Sequence, residues 1–266
     1  MFREPGGALK HPFITPGSQS YNDVLWDWDS WLANVALRQI LIEIGDSKEK
    51  SNAMKYEKGS ILNFLSNTGK RGWIPILITR DSVIKEPDDL YIKNMHKPVL
   101  AQHAAFLVKQ YNGDTKWLRE NENFKFLQRF INNYRNHHRH NTGLYFWQSD
   151  GCIGVDNDPC TFYRPPGSSG SIYLNCLMLK ELEALVFLCE CMDLNEVADN
   201  YRNDVKELKR AIEENCWDER DGFYYSVDLN LMPIDHNNIS HQGQPRDWEC
   251  LIQRIGVWSG FLGLWA

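Results

Sequence analysis

Apolar residues along this chain recur mostly at spacings of three and four, the period of an α-helix, in blocks separated by long stretches rich in glycine and proline. The first block predicts a helix from about Trp28 to Ile44. Leu32, Val35, Ala36 and Ile40 share one face, Leu37, Leu41 and Ile42 widen the stripe, and Gly45 closes it. A lysine-rich amphipathic block follows at about Ser47–Ser66. A third helix is expected to begin near Pro98, a favoured residue of a first turn, and to end before Asn112-Gly113. A fourth, capped by Asp114 or Thr115, runs to about His138. The fifth, about Ser171–Met192, is apolar nearly all round, and the sixth, about Asn195–Cys216, is strongly amphipathic. A short hairpin is expected within Trp217–Val227, turning at Asp221-Gly222, and a seventh helix from about Asp247 to the end.

An apolar helix is thus paired repeatedly with a polar one, and the long loops enter the apolar member. Two concentric helical rings produce that pattern, the inner helices buried all round and the outer ones amphipathic. The predicted fold class is all-α: residues 1–266 as one partial (α/α)6 barrel, with about seven of its twelve helices legible. The apolar end from Trp258 to Ala266 has no cap or polar tail, which reads as a cut through a buried helix. An exposed half-barrel surface would favour self-association.

Composition narrows the function. With 42% hydrophobic and 24% charged residues, the chain is too apolar for a disordered protein. Net charge is −6 and no basic block is present, so nucleic acid is not an expected partner. The longest apolar runs, around Ala184–Leu188 and Gly256–Ala266, are far too short to span a membrane, and the N-terminus lacks the apolar stretch of a signal peptide. The seven cysteines are odd in number and form no CxxC pair. They read as reduced and mostly buried, which favours a cytoplasmic location and argues against zinc.

Ten Trp, eleven Tyr and twelve Phe form the informative excess. Sugar pockets use aromatic rings to stack on the C–H faces of pyranoses, but a helical core uses them as well, so the excess alone does not decide. Position helps more. Tyr21-Asn22-Asp23-Val24-Leu25-Trp26-Asp27-Trp28-Asp29-Ser30-Trp31 sets two Trp–Asp pairs at the mouth of a helix. Burying carboxylates is costly unless they are paired, whereas at a sugar site the indole stacks and the Asp accepts from hydroxyls. The plainer reading has Asp27 or Asp29 capping the helix. A second constellation runs from Tyr145-Phe146-Trp147 through Gly151–Pro159 to Tyr163-Arg164-Pro165-Pro166. Asp156 and Asp158 are both candidates there for an acid whose pKa is raised by desolvation, against ordinary Asx turns. His137-His138-Arg139-His140 reads as a solvated helix terminus, one of Glu181 and Glu183 as facing a cavity, and Asn238-Ile239-Ser240 as a chance sequon. GxSxG, P-loop and Rossmann fingerprints are missing from the sequence.

Taken in order, these stretches resemble the catalytic domain shared by trehalases and glycoside hydrolase family 63, including mannosylglycerate hydrolases. Trp28-Asp29-Ser30 resembles the family's Trp-Asp-Ser element, which holds the sugar in the −1 subsite. Gly72-Trp73-Ile74-Pro75 resembles its Gly-Phe-Ile-Pro loop, and Lys97-Pro98-Val99-Leu100-Ala101-Gln102 its Pro-Pro-x-x-Ala-Gln start of an inner helix. Gly154-Val155-Asp156-Asn157 resembles the Gly-x-Asp segment of the general acid, and Trp217–Tyr224 the Trp-Asp-x-x-x-Gly-Phe-Tyr hairpin. Two departures stand out. Tyr173 replaces the Asp usually found before Leu-Asn, and Asp158-Pro159-Cys160 replaces the Ser-Pro-Arg that often follows the acid.

The resemblance implies an inverting glycoside hydrolase acting on a small α-linked glucoside or mannoside, of the oligosaccharide or sugar-glycerate class. Asp156 would be its general acid; Tyr21, Trp26, Trp28, Asp29, Gln102 and Asn157 would bind the sugar, with no metal or organic cofactor. An inverting pair holds its carboxyls about 6.5–9.5 Å apart to admit water. The family's base is a Glu near the end of the barrel; no segment here matches it, so this chain alone is expected to lack the base. A non-catalytic carbohydrate-binding protein is the alternative, and a sugar epimerase relying on His103 a third reading.

Overall fold

The computed structural model describes residues 1–17, 19–44, 46–88, 94–151, 153–162, 164–230 and 250–266. Its helices are α1 (Asp27–Ile44), α2 (Ser47–Ser66), α3 (Leu100–Gln110), α4 (Lys116–Arg119), α5 (Asn123–His137), α6 (Ile172–Cys191), α7 (Asn195–Cys216) and α8 (Leu262–Trp265). Between them lie short strands: β1 (Phe2–Arg3), β2 (Phe13–Ile14), β3 (Val24–Trp26), β4 (Leu77–Thr79), β5 (Ser169–Gly170), β6 (Trp217–Asp218), β7 (Phe223–Tyr224), β8 (Val227–Asp228) and β9 (Leu251–Ile252). The chain divides into two compact units. One comprises Met1–Leu90, Met95–Asn136 and Lys180–Asn203; the other comprises Tyr91–Asn94, His137–Leu179 and Asp204–Ala266.

In the first unit β1 pairs with β2 and β3 with β4, both antiparallel. Helix α2 starts where Asp46 accepts from the backbone N–H groups of Lys48 and Glu49, an N-cap that satisfies two otherwise orphaned donors. Its inward face carries Ala53, Ile61, Phe64 and Leu65, and that of α5 carries Leu127, Phe130, Ile131 and Tyr134, all buried. The predicted fourth helix is broken. Asn121 and Glu122 adopt φ of 47° and 60°, left-handed values that end α4 before α5 begins. The Asn123 side chain donates to Trp117 O at 2.7 Å and secures the join.

Helix α1 overturns an expectation. The face read as apolar and inward is outward: Leu32, Val35, Ile40, Ile42 and Ile44 are between 39% and 58% exposed. The buried stripe is Asp27, Ser30, Asn34, Arg38 and Leu41, helically spaced and mostly polar. The stripe is tolerated because its members are paired. Asn34 donates to Glu57 Oε1 at 2.7 Å and Arg38 Nε to the same oxygen at 2.5 Å, while the Arg38 Nη2 and the Tyr111 hydroxyl reach Glu57 Oε2. His103 Nε2 donates to Asn34 Oδ1 at 2.8 Å. Burial raises the Glu57 carboxyl, and Arg38 and Asn34 pull it back. Saturated networks of this kind can lie in a core; half-satisfied ones cannot.

In the second unit β8 lies between β5 and β9, and β6 pairs with β7 around Asp221-Gly222 as the sequence predicts. Helix α7 has the predicted bounds, and α6 differs from them by one residue at each end. The predicted seventh helix is not found among the described residues, and residues 247–249 lie outside them. From Leu251 the chain pairs as β9, then forms a 3-10 turn at Trp258–Phe261 and the short α8. Close packing fixes this ending: a Cβ at Gly260 would lie 2.2 Å from the Phe223 ring. Six cysteines are described, all free. No described helix is long and apolar enough to cross a membrane.

Candidate active site

The candidate residues fall into two groups, one in each unit. The first is made where β3 turns directly into α1. Trp26 pairs with Leu77 of β4, and the Asp27 N–H donates to Ile76 O at 3.0 Å, so the sheet ends and the helix begins within one residue. Asp27 caps nothing on its own helix. Its two oxygens lie 3.0 Å from Lys97 Nζ, and Oδ2 also accepts the Lys97 backbone N–H at 3.0 Å. The pair is buried, with side chains 0% and 2% exposed. The Lys97 ammonium lies 5.3 Å from the centroid of the Trp28 ring.

Asp29, one residue on, is half-buried. Burial raises its carboxyl above the usual range, and the negative Asp27 adds to that; Lys97 and a hydrogen bond from the Trp28 side chain oppose them. Tyr21 is exposed and stands edge-on to Trp26, ring centroids 6.1 Å apart. The indole nitrogens of Trp26 and Trp31 and the Ser30 hydroxyl are buried without a hydrogen-bond partner among the described residues. Polar atoms in that state suit a ligand rich in hydroxyls.

Gln102 sits in the first turn of α3, nearly buried, its side-chain amide donating to Pro98 O at 2.8 Å. Beneath it is the residue the sequence reading placed least well. Glu181, fully buried on α6, accepts the backbone N–H groups of Ala101 at 2.7 Å and Gln102 at 3.0 Å. It closes the N-terminus of α3 from a distant helix, and burial pushes its carboxyl to about 8 against those hydrogen bonds. An acid in the middle of an almost apolar helix was the signal for it. His103, the epimerase candidate, is a core residue on Asn34, and burial lowers it to about 3.

The second group lies on the loop before α6. Asn94 fastens its entry, donating to Ser149 O at 2.8 Å and Gly151 O at 2.7 Å and accepting from Gln148 N at 2.9 Å. Asn175 holds Tyr145 by both its backbone N–H and C=O. Tyr173 donates to Ile153 O at 3.3 Å and packs on Trp147 and Trp258. Asp156 and Asn157 are both exposed, Asn157 at φ 58°. Asp158 is buried and accepts from Cys160 N and the Thr161 hydroxyl, which makes it the turn-forming acid. Asp150, which the sequence reading did not single out, is raised by burial and by Asp158 and Asp156, while the Asn157 and Asp158 backbone N–H groups oppose the shift.

Arg164 is tied to Asp228 at 2.7 Å. The histidine run is not a solvated terminus, because the chain folds back over it: Phe146 N donates to His138 O, and the His138 ring is buried with its pKa lowered to about 4. Among the described residues no His, Cys, Asp and Glu cluster could hold a metal ion. Tyr21, Trp26, Trp28, Asp29 and Gln102 therefore belong to the first unit, and Asp156 and Asn157 to the second.

Residues 21–242 match the family model described as the mannosylglycerate hydrolase MGH1-like glycoside hydrolase domain. No curated protein sequence matches the chain. Among solved structures, an uncharacterized conserved protein from Thermus thermophilus aligns with a TM-score of 0.63 at 17% identity, covering 98% of this chain and 69% of its own. The GH63 mannosylglycerate hydrolase of the same organism, in complex with glucose, aligns with a TM-score of 0.62 at 16% identity over 98% of this chain and 70% of its own. That enzyme in complex with Tris and D-glycerate aligns at 0.52 and 16%, over 80% and 62%. The mostly helical fold agrees with an incomplete (α/α)6 barrel like that of these neighbours.

Proposed function

The chain belongs to the family of mannosylglycerate hydrolase MGH1-like glycoside hydrolase domains, and from that premise we propose that it acts as an inverting hydrolase of small α-linked glucosides or mannosides. The observation that carries the reading is the Trp28–Asp29 pair, half-buried beside a sealed ion pair at the mouth of α1. Trp28, with Trp26 and Tyr21, offers rings for a pyranose face. Asp29 accepts from two hydroxyls and Gln102 adds a polar contact, while the resemblance implies a further sugar contact for Asn157. Asp156 protonates the leaving oxygen. The base we assign to no residue of this chain: the resemblance puts it on a Glu near the end of the barrel, and the chain spans 69% and 70% of the first two solved chains described above. Turnover by these 266 residues is accordingly weak. Six free cysteines support a reducing, cytoplasmic setting.

A second reading, a carbohydrate-binding protein without catalysis, is favoured by one feature: Asp156 is exposed on its loop rather than enclosed. Hydrolysis assays on trehalose, kojibiose, nigerose, glucosylglycerate and mannosylglycerate separate the two. Asp156→Asn should lower turnover by about 10²–10⁴-fold while leaving glucose binding intact. Unchanged turnover in that variant would remove Asp156 from the mechanism.

A further inference from the structure

Lys97 begins the segment that leads into α3, at the position where the resembled motif has its first proline. A cation brought to this place needs compensation, and Asp27 supplies it with both oxygens at 3.0 Å. Buried ion pairs are poor devices for stability, since an apolar pair of the same size fills the space at lower cost. The contacts around this pair indicate a different use. The ammonium lies 5.3 Å from the Trp28 ring centroid, and the Trp28 side chain hydrogen-bonds the Asp29 carboxylate.

We propose that Lys97 is a positioning residue of the sugar pocket: held by Asp27, it fixes the Trp28 ring and, through it and through its own charge, the Asp29 carboxylate. The proposal rests on the reading of Trp28 and Asp29 as sugar-binding residues. The charges felt at Asp29 are Asp27, on its own helix, and Lys97, from the segment before α3. Three buried titratable groups of the neighbouring segments are engaged or neutral. On α2, Glu57 is taken up by Arg38 and Asn34. His96, beside Lys97, is held neutral by burial near pKa 4, and His103 on α3 near 3. Lys97 therefore keeps Asp29 ionised, as an acceptor for hydroxyls, further down the pH scale than burial beside Asp27 would allow.

The test follows the Asp29 carboxyl carbon and the Trp28 indole signal by NMR across pH, without sugar, in the full chain. Lys97→Met should move the Asp29 midpoint up and disperse the Trp28 signal. Asp27→Asn should move the midpoint down. The double variant should return it to the wild-type value or slightly below, because Asp27 acts on Asp29 more strongly than Lys97 does. Where Lys97→Met does not fold, the double variant carries the test, since its pair is neutral; its Trp28 signal should still disperse. An Asp29 midpoint and Trp28 signal unchanged in the folded variants would overturn the proposal, because a purely structural lysine would alter stability alone. Glucose titration of Asp29→Ala tests the pocket separately: undiminished binding would sink the sugar-site reading and leave the Lys97 result standing.

Discussion

Replacing Glu181 by Gln probes a fully buried acid of the first unit. In the native chain its two oxygens take the Ala101 and Gln102 N–H groups, and burial holds the carboxyl near pKa 8 rather than the ordinary 4.5. A raised carboxyl stays protonated in the fold while the unfolded chain releases its proton, so stability is lost as pH rises between the two values. The slope approaches about 1.4 kcal/mol per pH unit. Between pH 5 and pH 8 the loss assigned to Glu181 amounts to about 3 kcal/mol. Gln cannot titrate, and its NH2 must face one of the two N–H donors, which costs about 1–3 kcal/mol at any pH. Urea unfolding of both proteins, followed by Trp fluorescence at pH 5, 6, 7 and 8, yields the difference directly. The advantage of wild type over Glu181→Gln should shrink by about 3 kcal/mol across that range. An advantage that is constant or grows toward pH 8 would show that the helix N-terminus outweighs burial and that Glu181 is folded as a carboxylate.

Arg38→Met leaves Glu57 buried with Asn34 and Tyr111 but without its cation, and should cost about 3–5 kcal/mol in urea unfolding. Converting Glu57 to Gln in the same chain should recover part of that loss. The outward apolar face of α1 leaves Ile40 and Ile42 open to solvent, so Ile40→Lys with Ile42→Lys should change stability by no more than about 0.5 kcal/mol in urea unfolding.

Helical periodicity located most long helices because burial and period coincide there. For α7 the apolar stripe, its length and the Asn195 start all agree. The inverted burial of α1 was not legible, because the rule that apolar faces turn inward assumes buried polar groups have no partners. Here Lys97, Glu57 and His103 come from segments far along the chain to pair with Asp27, Asn34 and Arg38. The kink between α4 and α5 was hidden for a related reason: Asn tolerates left-handed φ, but nothing local demands it. The two Trp–Asp pairs stand out in the sequence as a polar-aromatic cluster, yet the sequence could not distinguish the sealed Asp27 from the half-buried Asp29. Asp150 was passed over because its surroundings depend on Asn157 and Asp158, whose backbone N–H groups the fold brings to its carboxyl.

The most direct test of the glycosidase reading is the anomer of the first sugar released from an α-glycoside. It is read by proton NMR in the opening minutes, with the chain as concentrated as the substrate. The account predicts the β-anomer, and its loss in Asp156→Asn. Release of the α-anomer, or β-release that survives Asp156→Asn, would contradict it.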